Sequence, residues 1–229
     1  MITSHRWRHA AAALLLSLAT ALAPATAASA RPGTAPTPLT AGDRALPAPP
    51  SADQVRAEID TLTIEAPHPM TGYSRAKFPH WAMQSGTCDT REIVLQRDGQ
   101  DVVTDAQCRA VAGTWTSPYD GKTFTDSKLL DIDHIVPLAN SWRSGADGWD
   151  TAKRKALAND LTHSQLVAVS ATSNRSKGDQ SPDQWKPPLQ SYWCEYARAR
   201  GDIKYLYGLN TTEPEKAAPG DMLDTCPTA

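Results

Sequence analysis

An apolar segment that ends in two polar residues places the strongest constraint on this chain. Residues 129–136 are rich in Leu, Ile and Val, which favours a β-strand, and Asp133 and His134 stand side by side near their end. Neighbouring side chains of a regular strand point to opposite faces. Pro137 indicates that regularity stops here, which allows the carboxylate and the imidazole to approach one site from different sides.

A second apolar segment, about forty residues later, is followed by a different polar group, the amide of Asn174. Residues 165–169 read as another apolar strand, and Ser170 or Thr172 can cap a helix that begins near Asn174. This order predicts strand, long connection, strand and helix. At a helix N-terminus, Asn174 would lie beside free backbone N–H groups that favour a phosphate.

These residue types match the needs of phosphodiester hydrolysis, which requires a base, a hard cation and oxygen ligands for that cation. His134 is the candidate base, and it is neutral at neutral pH if its pKa is near the ordinary value of about 6.5. Asp133 and Asn174 are the candidate ligands. Two protein ligands leave room for water and substrate oxygens, which suits one divalent cation, Mg²⁺ or else Mn²⁺, better than structural zinc.

The stretches DIDHIVPL and QLVAVSATSNRSKGD resemble the ββα-metal core of HNH (His-Me finger) endonucleases, in the form seen in the GmrSD-type C-terminal nuclease domain. GYSRAKFPHW, GTWTSPYDG and DQWKPPLQSYWCEYA extend the resemblance to secreted bacterial nucleases over most of the chain. The resemblance implies an α+β fold in which helices and a small hairpin surround that core. It also implies His134 as general base, Asp133 and Asn174 as metal ligands, and 5′-phosphate products.

The family usually places an Asn at the start of the second strand, where its side chain pins the long connection. Gln165 stands there in this chain, nine residues before Asn174. Its amide can donate and accept in the same way, but it is longer by one methylene. Asn159 and His163 are therefore alternative candidates for the pinning role.

Several other charged residues have two interpretations each. Asp131 shares a strand face with Asp133, so it is either a second carboxylate behind the cation site or a solubilising charge. Lys177 and Arg91 are candidate phosphate contacts or ordinary surface charges. Asp179 is a candidate structural residue that contacts the loop in which it lies, or else an ordinary surface charge. The basic run 153–155 is interpreted as a solvated helix face.

The N-terminal region predicts export. Residues 1–30 combine an early positive charge, an apolar run and small residues before Ala30, which is typical of a signal peptide cleaved there or after Ala27. The apolar run is shorter than the roughly 20 residues that a membrane span needs, so we expect no membrane association of the mature form. Residues 31–50 form a Pro/Ala/Thr-rich linker, and residues 51–229 form the nuclease domain.

Four cysteines in an exported chain predict two disulfides, for which three pairings exist. The local pairing, Cys88–Cys108 with Cys194–Cys226, is favoured because each bridge brackets one segment. A structural zinc site is disfavoured by the absence of a CxxC pair.

The charge balance limits how the protein can meet nucleic acid. Residues 1–30 hold two of the 23 basic residues and none of the 25 acidic ones, so the remainder carries a net charge of −4. Contact with phosphates must therefore be local. No sequence-reading module is visible, which predicts non-specific cutting of DNA, with RNA as a second substrate, and no obligate protein partner.

Two rival functions remain. One is a catalytically silent extracellular binding protein of the same fold. The other is a secreted phosphodiesterase for small substrates.

The remaining secondary structure follows from periodicity and capping residues. The pattern predicts helices over residues 52–61, 90–97, 151–159, 189–200 and 212–224, and a hairpin around the turn 117–121.

Overall fold

The computed structural model describes residues 47–227. The predicted signal peptide and most of the predicted linker lie outside these residues. The helices are α1 (Ala52–Thr61), α2 (Thr90–Asp98), α3 (Leu138–Arg143), α4 (Thr151–Ala158), α5 (Ala171–Lys177), α6 (Trp193–Tyr207), α7 (Glu213–Ala217) and α8 (Pro219–Leu223). The strands are β1 (Met83–Ser85), β2 (Cys88–Asp89), β3 (Gln100–Thr104), β4 (Ala110–Thr116), β5 (Thr123–Phe124), β6 (Leu130–His134) and β7 (Leu166–Ser170). The α+β class is confirmed.

The central element is a two-stranded sheet followed by a helix. β6 and β7 pair antiparallel without a bulge, from Leu130 opposite Ser170 to His134 opposite Leu166. α5 begins immediately after β7, and the Ser170 side chain caps it by accepting from the backbone N–H of Ser173. The predicted order of strand, long connection, strand and helix is confirmed. The helix starts earlier than predicted, because Ser170 is its cap, and Asn174 therefore lies in its middle.

Both faces of this sheet are covered, which explains why β7 is apolar throughout. On one face, Val167 and Val169 pack with α1, α6 and α8. On the other face, Leu166 and Ala168 pack with α2 and β4. Directly paired residues share a face, so Asp131 and Asp133 point to the α6 side. His134 points to the α2 side.

Other predicted elements are confirmed with shifted ends. Ser51 caps α1, and Asp89 caps α2. The last two predicted helices differ more: α6 begins only at Trp193 after a 3₁₀ turn, and a break at Ala218 separates α7 from α8. β3 was not predicted, because its residues are mostly exposed and lack apolar alternation.

Residues just before Ser51 contact the folded domain. The Ser164 hydroxyl donates to the carbonyl of Pro47, and the Arg198 guanidinium donates to the carbonyls of Pro49 and Pro50. The linker boundary at residue 50 stays a prediction, and Pro47, Pro49 and Pro50 of the predicted linker accept hydrogen bonds from the domain.

Both predicted disulfides are present. Cys88–Cys108 joins the residues before α2 to the β3–β4 connection across a separation of 20 residues. Cys194–Cys226 joins the first turn of α6 to the residues after α8 across 32 residues. The described residues contain no free cysteine.

Replacing both cysteines of either bridge with serine should lower the free energy of unfolding by about 3 to 4 kcal/mol, because each bridge restricts the unfolded chain. Urea denaturation of the two double variants and the wild type measures this loss. A double variant as stable as the wild type would show that its bridge contributes nothing.

Candidate functional site

His134 is held at the end of β6 in one orientation. The side chain is buried, and its Nε2 lies 3.1 Å from the carbonyl oxygen of Ala158. A carbonyl can only accept, so Nε2 carries the proton and Nδ1 has the free lone pair in the neutral ring. The indole of Trp81 lies against the imidazole with 5.8 Å between ring centroids.

The surroundings keep the imidazole uncharged. Burial lowers the pKa of His134 from 6.5 to about 3, and the positive charges of Arg75 and Lys177 act in the same direction. The hydrogen bond to the Ala158 carbonyl raises the pKa, and its effect is smaller than that of burial but larger than that of either positive charge. The ring is therefore in its basic form at every pH from mildly acidic upward, a wider range than the ordinary pKa implies.

Asp133 is a buried carboxylate with two donors. The Lys177 amine lies 3.0 Å from its Oδ1 and 2.8 Å from its Oδ2, and the Tyr119 hydroxyl donates to Oδ2. Lys177 and Tyr119 are themselves fully buried. Burial lowers the pKa of the Lys177 amine, whereas the Asp133 carboxylate raises it. These contacts explain how a carboxylate persists in the core.

Asn174 faces Asp131 rather than Asp133. Its Nδ2 donates to Asp131 Oδ2 at 3.1 Å. Asn174 and Lys177 are three residues apart on one face of α5, and Asp131 and Asp133 are two apart on one face of β6. The helix and the strand therefore meet through two parallel contacts, Asn174 with Asp131 and Lys177 with Asp133.

Two predicted phosphate contacts are corrected. The Lys177 side chain is completely buried on Asp133, so its amine is not available to a phosphate. Arg91 donates to Glu92 and to the carbonyl of Ser127. It lines a different cavity from His134. Asp179 meets Arg143 through both its carboxylate and its carbonyl, as expected of a structural partner.

The amide of Gln165 extends the pairing of the two strands. It accepts from the backbone N–H of Val136 and donates to the carbonyl of the same residue, each at 3.0 Å. The backbone carbonyl of Gln165 also accepts from Ile135 at 2.8 Å. Gln165 is fully buried, and its contacts hold the chain where the long connection begins.

The alternative pinning residues make other contacts. Asn159 accepts from the backbone N–H of Ala82 at 2.8 Å and donates to the carbonyl of Pro79 at 2.7 Å, so it holds the segment that carries Trp81. His163 pairs with Asp160, 2.8 Å away. In the basic run 153–155, the prediction of a solvated face fails for Arg154, which is buried and bound to backbone carbonyls.

The turn 117–121 supports the site and was predicted only as a hairpin turn. Besides the Tyr119 hydroxyl on Asp133, it supplies Asp120, whose Oδ2 accepts from the hydroxyls of Ser170 at 2.7 Å and Ser173 at 3.0 Å. Thus one turn contacts both β6 and the start of α5. An aromatic residue amid polar turn residues was the available indication, since turn tips are usually exposed.

A cleft of about 280 Å³ opens beside these groups. His134, Asp133 and Asn174 all line it, together with two exposed cations, Arg75 and Arg175. Arg75 lies in the 3₁₀ turn Arg75–Lys77, and no motif in the sequence indicated that this turn reaches the cleft. The aromatic residues around the turn contact the core: Phe78 is fully buried, and Tyr73 and Trp81 pack against the core while partly exposed.

The oxygen atoms along this cleft fit a hard divalent cation. Because the Asn174 amide nitrogen faces Asp131, its carbonyl oxygen is left without a protein donor among the described residues. Asp133 Oδ1 accepts one hydrogen bond and keeps a second lone pair. Within residues 47–227 no three His, Cys, Asp or Glu side chains group closely enough to hold a metal. An amide, water and substrate oxygens would have to complete the coordination.

Comparison with known proteins assigns the chain to a family. The family model described as GmrSD restriction endonucleases, C-terminal domain, matches residues 91–218, more than half of the chain. The chain belongs to this family. The matched residues include β6, β7 and α5.

A relative from Arthroderma benhamiae, named "Uncharacterized secreted protein", is 52% identical over 177 residues, which cover 77% of this chain and 87% of the relative. That relative is fungal, so a bacterial origin of the similar proteins stays a prediction. No solved structure matches the chain.

The depressed pKa of His134 makes a prediction about stability. The folded state holds the ring neutral down to about pH 3, whereas the unfolded chain protonates near 6.5. Stability should therefore fall as pH drops below 6.5, because the unfolded state gains the proton first. Burial raises the pKa of Asp202 to about 6, so the contribution of this carboxyl to stability changes with pH in the opposite direction to that of His134. Urea denaturation from pH 7.5 to 4 should show a smaller acid loss for His134→Asn than for the wild type. Equal slopes would contradict the buried neutral ring.

Proposed function

We propose that this protein is an exported, metal-dependent endonuclease that hydrolyses phosphodiester bonds of DNA without sequence preference, with RNA as a second substrate. The supporting observation is the neutral, oriented His134, whose Nδ1 is free in a cleft lined by Asp133 and Asn174. Membership of a restriction endonuclease domain family supports the same activity.

His134 acts as the general base. Its Nδ1 takes a proton from the water that attacks phosphorus in line with the leaving 3′-oxygen. The Ala158 carbonyl holds the proton on Nε2 and thereby keeps Nδ1 as the acceptor. Trp81, whose ring lies tilted against the imidazole, limits its movement and its contact with bulk water. This attack breaks the bond between phosphorus and the 3′-oxygen, so one fragment ends in a 3′-hydroxyl and the other in a 5′-phosphate.

Asp133 and Asn174 would hold the cation, Mg²⁺ or Mn²⁺. When bound, it neutralises charge on the phosphate and on the leaving oxygen. Asp131 orients the Asn174 amide so that the carbonyl oxygen stays available.

Arg75 and Arg175 take the phosphate-binding role that the sequence suggested for Lys177 and Arg91. Both arginines are exposed and line the cleft. They come from segments far apart in the chain, the residues before β1 and the helix α5. Two local cations are compatible with a negative overall charge, because steering by the whole molecule is not needed. Exposed cations beside the base favour a polymer backbone over an enclosed small diester.

Export is supported by three observations. Residues 1–30 have the pattern of a signal peptide, the fungal relative is named as secreted, and two disulfides are typical of an oxidising compartment. Among the described residues, no helix is long and apolar enough to cross a membrane.

The function is tested by nicking of supercoiled plasmid with Mg²⁺ or with a chelator. The wild type should cut only with the metal, and His134→Ala should lose about 10² to 10⁴ in rate, because the base is removed. His163→Ala is the control, since its ring pairs with Asp160 and does not line the cleft. Metal-independent cutting, or equal rates for the two variants, would refute the mechanism. A folded wild type that does not cut plasmid would favour the silent binding protein.

Arg75→Ala should reduce cutting by about tenfold or more, because a charge-assisted contact to phosphate contributes roughly 1.5 to 3 kcal/mol. The effect should shrink as salt rises, since added ions screen the contact. Arg56→Ala is the matched control, because Arg56 is also exposed but pairs with Asp224 away from the cleft. Rates measured from 50 to 300 mM salt decide, and identical rates for both variants would exclude Arg75.

A further inference from the structure

We propose that Lys177 is a resident counter-cation for Asp133, which keeps this carboxylate neutralised when no divalent cation is bound. The role rests on the proposed function, in which Asp133 is a cation ligand. It predicts that the site folds without bound metal. It also predicts that the positive charge of Lys177 lowers the affinity of the site for a divalent cation.

The contacts of the amine carry this inference. The Lys177 amine donates to Asp133 Oδ1 at 3.0 Å and to the His134 carbonyl at 2.9 Å. It also lies 2.8 Å from Asp133 Oδ2, so it pairs with both carboxylate oxygens. The side chain has no exposed surface, so the amine is not available to a substrate phosphate.

The burial of Asp133 determines whether loss of Lys177 stabilises or destabilises the fold. A carboxylate out of water without a positive partner is strongly unfavourable, so removing one member of a buried pair destabilises the fold. Asp133 is 5% exposed. The Tyr119 hydroxyl also donates to it, but a hydroxyl carries no compensating charge. Lys177 therefore supplies the positive charge that lies against the buried Asp133 carboxylate.

The same ammonium must repel an incoming cation. A divalent ion on Asp133 would lie within a few ångströms of the Lys177 amine, and repulsion between a double and a single positive charge about 5 Å apart corresponds to roughly a 10⁵-fold loss of affinity at an effective dielectric of about 20. Movement of the lysine side chain would relieve part of this. Removing the charge should therefore tighten metal binding by about tenfold or more.

The chain offers a matched control in Lys204. Its amine is also buried and lies 2.8 Å from a buried carboxylate, Glu215. Arg200 contacts the same carboxylate, and neither Lys204 nor Glu215 lines the cleft that contains His134. Lys204→Met thus removes a similar buried charge without altering the candidate metal site.

The test compares the wild type, Lys177→Met, Lys204→Met and the double variant Asp133→Asn/Lys177→Met. Melting temperatures are measured in chelator and in saturating Mg²⁺, and Mg²⁺ affinity is measured by calorimetry. In chelator, Lys177→Met should melt roughly 10 °C below the wild type. Mg²⁺ should recover most of that loss and bind about tenfold tighter than to the wild type. Lys204→Met should lose stability but respond to Mg²⁺ as the wild type does.

The double variant separates charge from packing. This variant has no unpaired carboxylate at position 133. It should therefore melt near the wild-type temperature in chelator, and it should not bind Mg²⁺ more tightly than the wild type does. If Lys177→Met does not fold in either condition but the double variant folds, the stranded charge is the cause and the role holds. If neither folds, Lys177 is needed for packing and the role is wrong.

The proposed function can fail separately. If the wild type binds Mg²⁺ and cuts plasmid but Lys177→Met shows the wild-type melting shift and affinity, only the counter-cation role is overturned. If the wild type neither binds Mg²⁺ nor cuts, the proposed function fails, and the counter-cation role fails with its premise.

Discussion

The antiparallel pairing of β6 with β7 is the constraint on which the candidate site depends. It places His134 at the end of one strand and starts α5 directly after the other, so the base and the helix that carries Asn174 have fixed relative positions. Apolar side chains cover both faces of the sheet. A shift of one residue would turn Asp133 toward α2 and His134 toward α6. That shift is costly, because Leu130 and Ile132 of β6 would leave the apolar face that they share with Leu166 and Ala168.

Two groups of buried charges near this sheet each combine opposite charges. Asp133 meets Lys177, and Glu215 meets both Arg200 and Lys204. Such pairs contribute little net stability, because desolvation offsets their attraction. Their value is positional, since a buried pair is satisfied in few arrangements. The pairing with Lys177 fixes the Asp133 carboxylate at the end of β6, which is the position proposed for a cation ligand.

Parts of the site that face solvent come from loops held by the scaffold. In the turn 117–121, Tyr119 and Asp120 form hydrogen bonds beneath the site. The segment before β1 brings Trp81 against the base and Arg75 to the cleft. Asn159 holds that segment through backbone groups of Pro79 and Ala82. A rigid sheet with polar loops around it is a common way to place a hydrolytic site, because loops vary without disturbing the core.

The sequence by itself determined the strand, connection, strand and helix order, the two disulfides, the α+β class and the grouping of His134, Asp133 and Asn174. Hydrophobic pattern, capping residues and cysteine spacing are local properties, so they can be read along the chain. The tertiary structure alone decided the contacts of Lys177, which looked like a surface charge, and of Tyr119, which looked like part of a turn. It also decided the Asn174–Asp131 contact and the position of Arg75. These depend on which segments meet in space, and a burial of charge is favourable or costly only according to the partner that folding supplies.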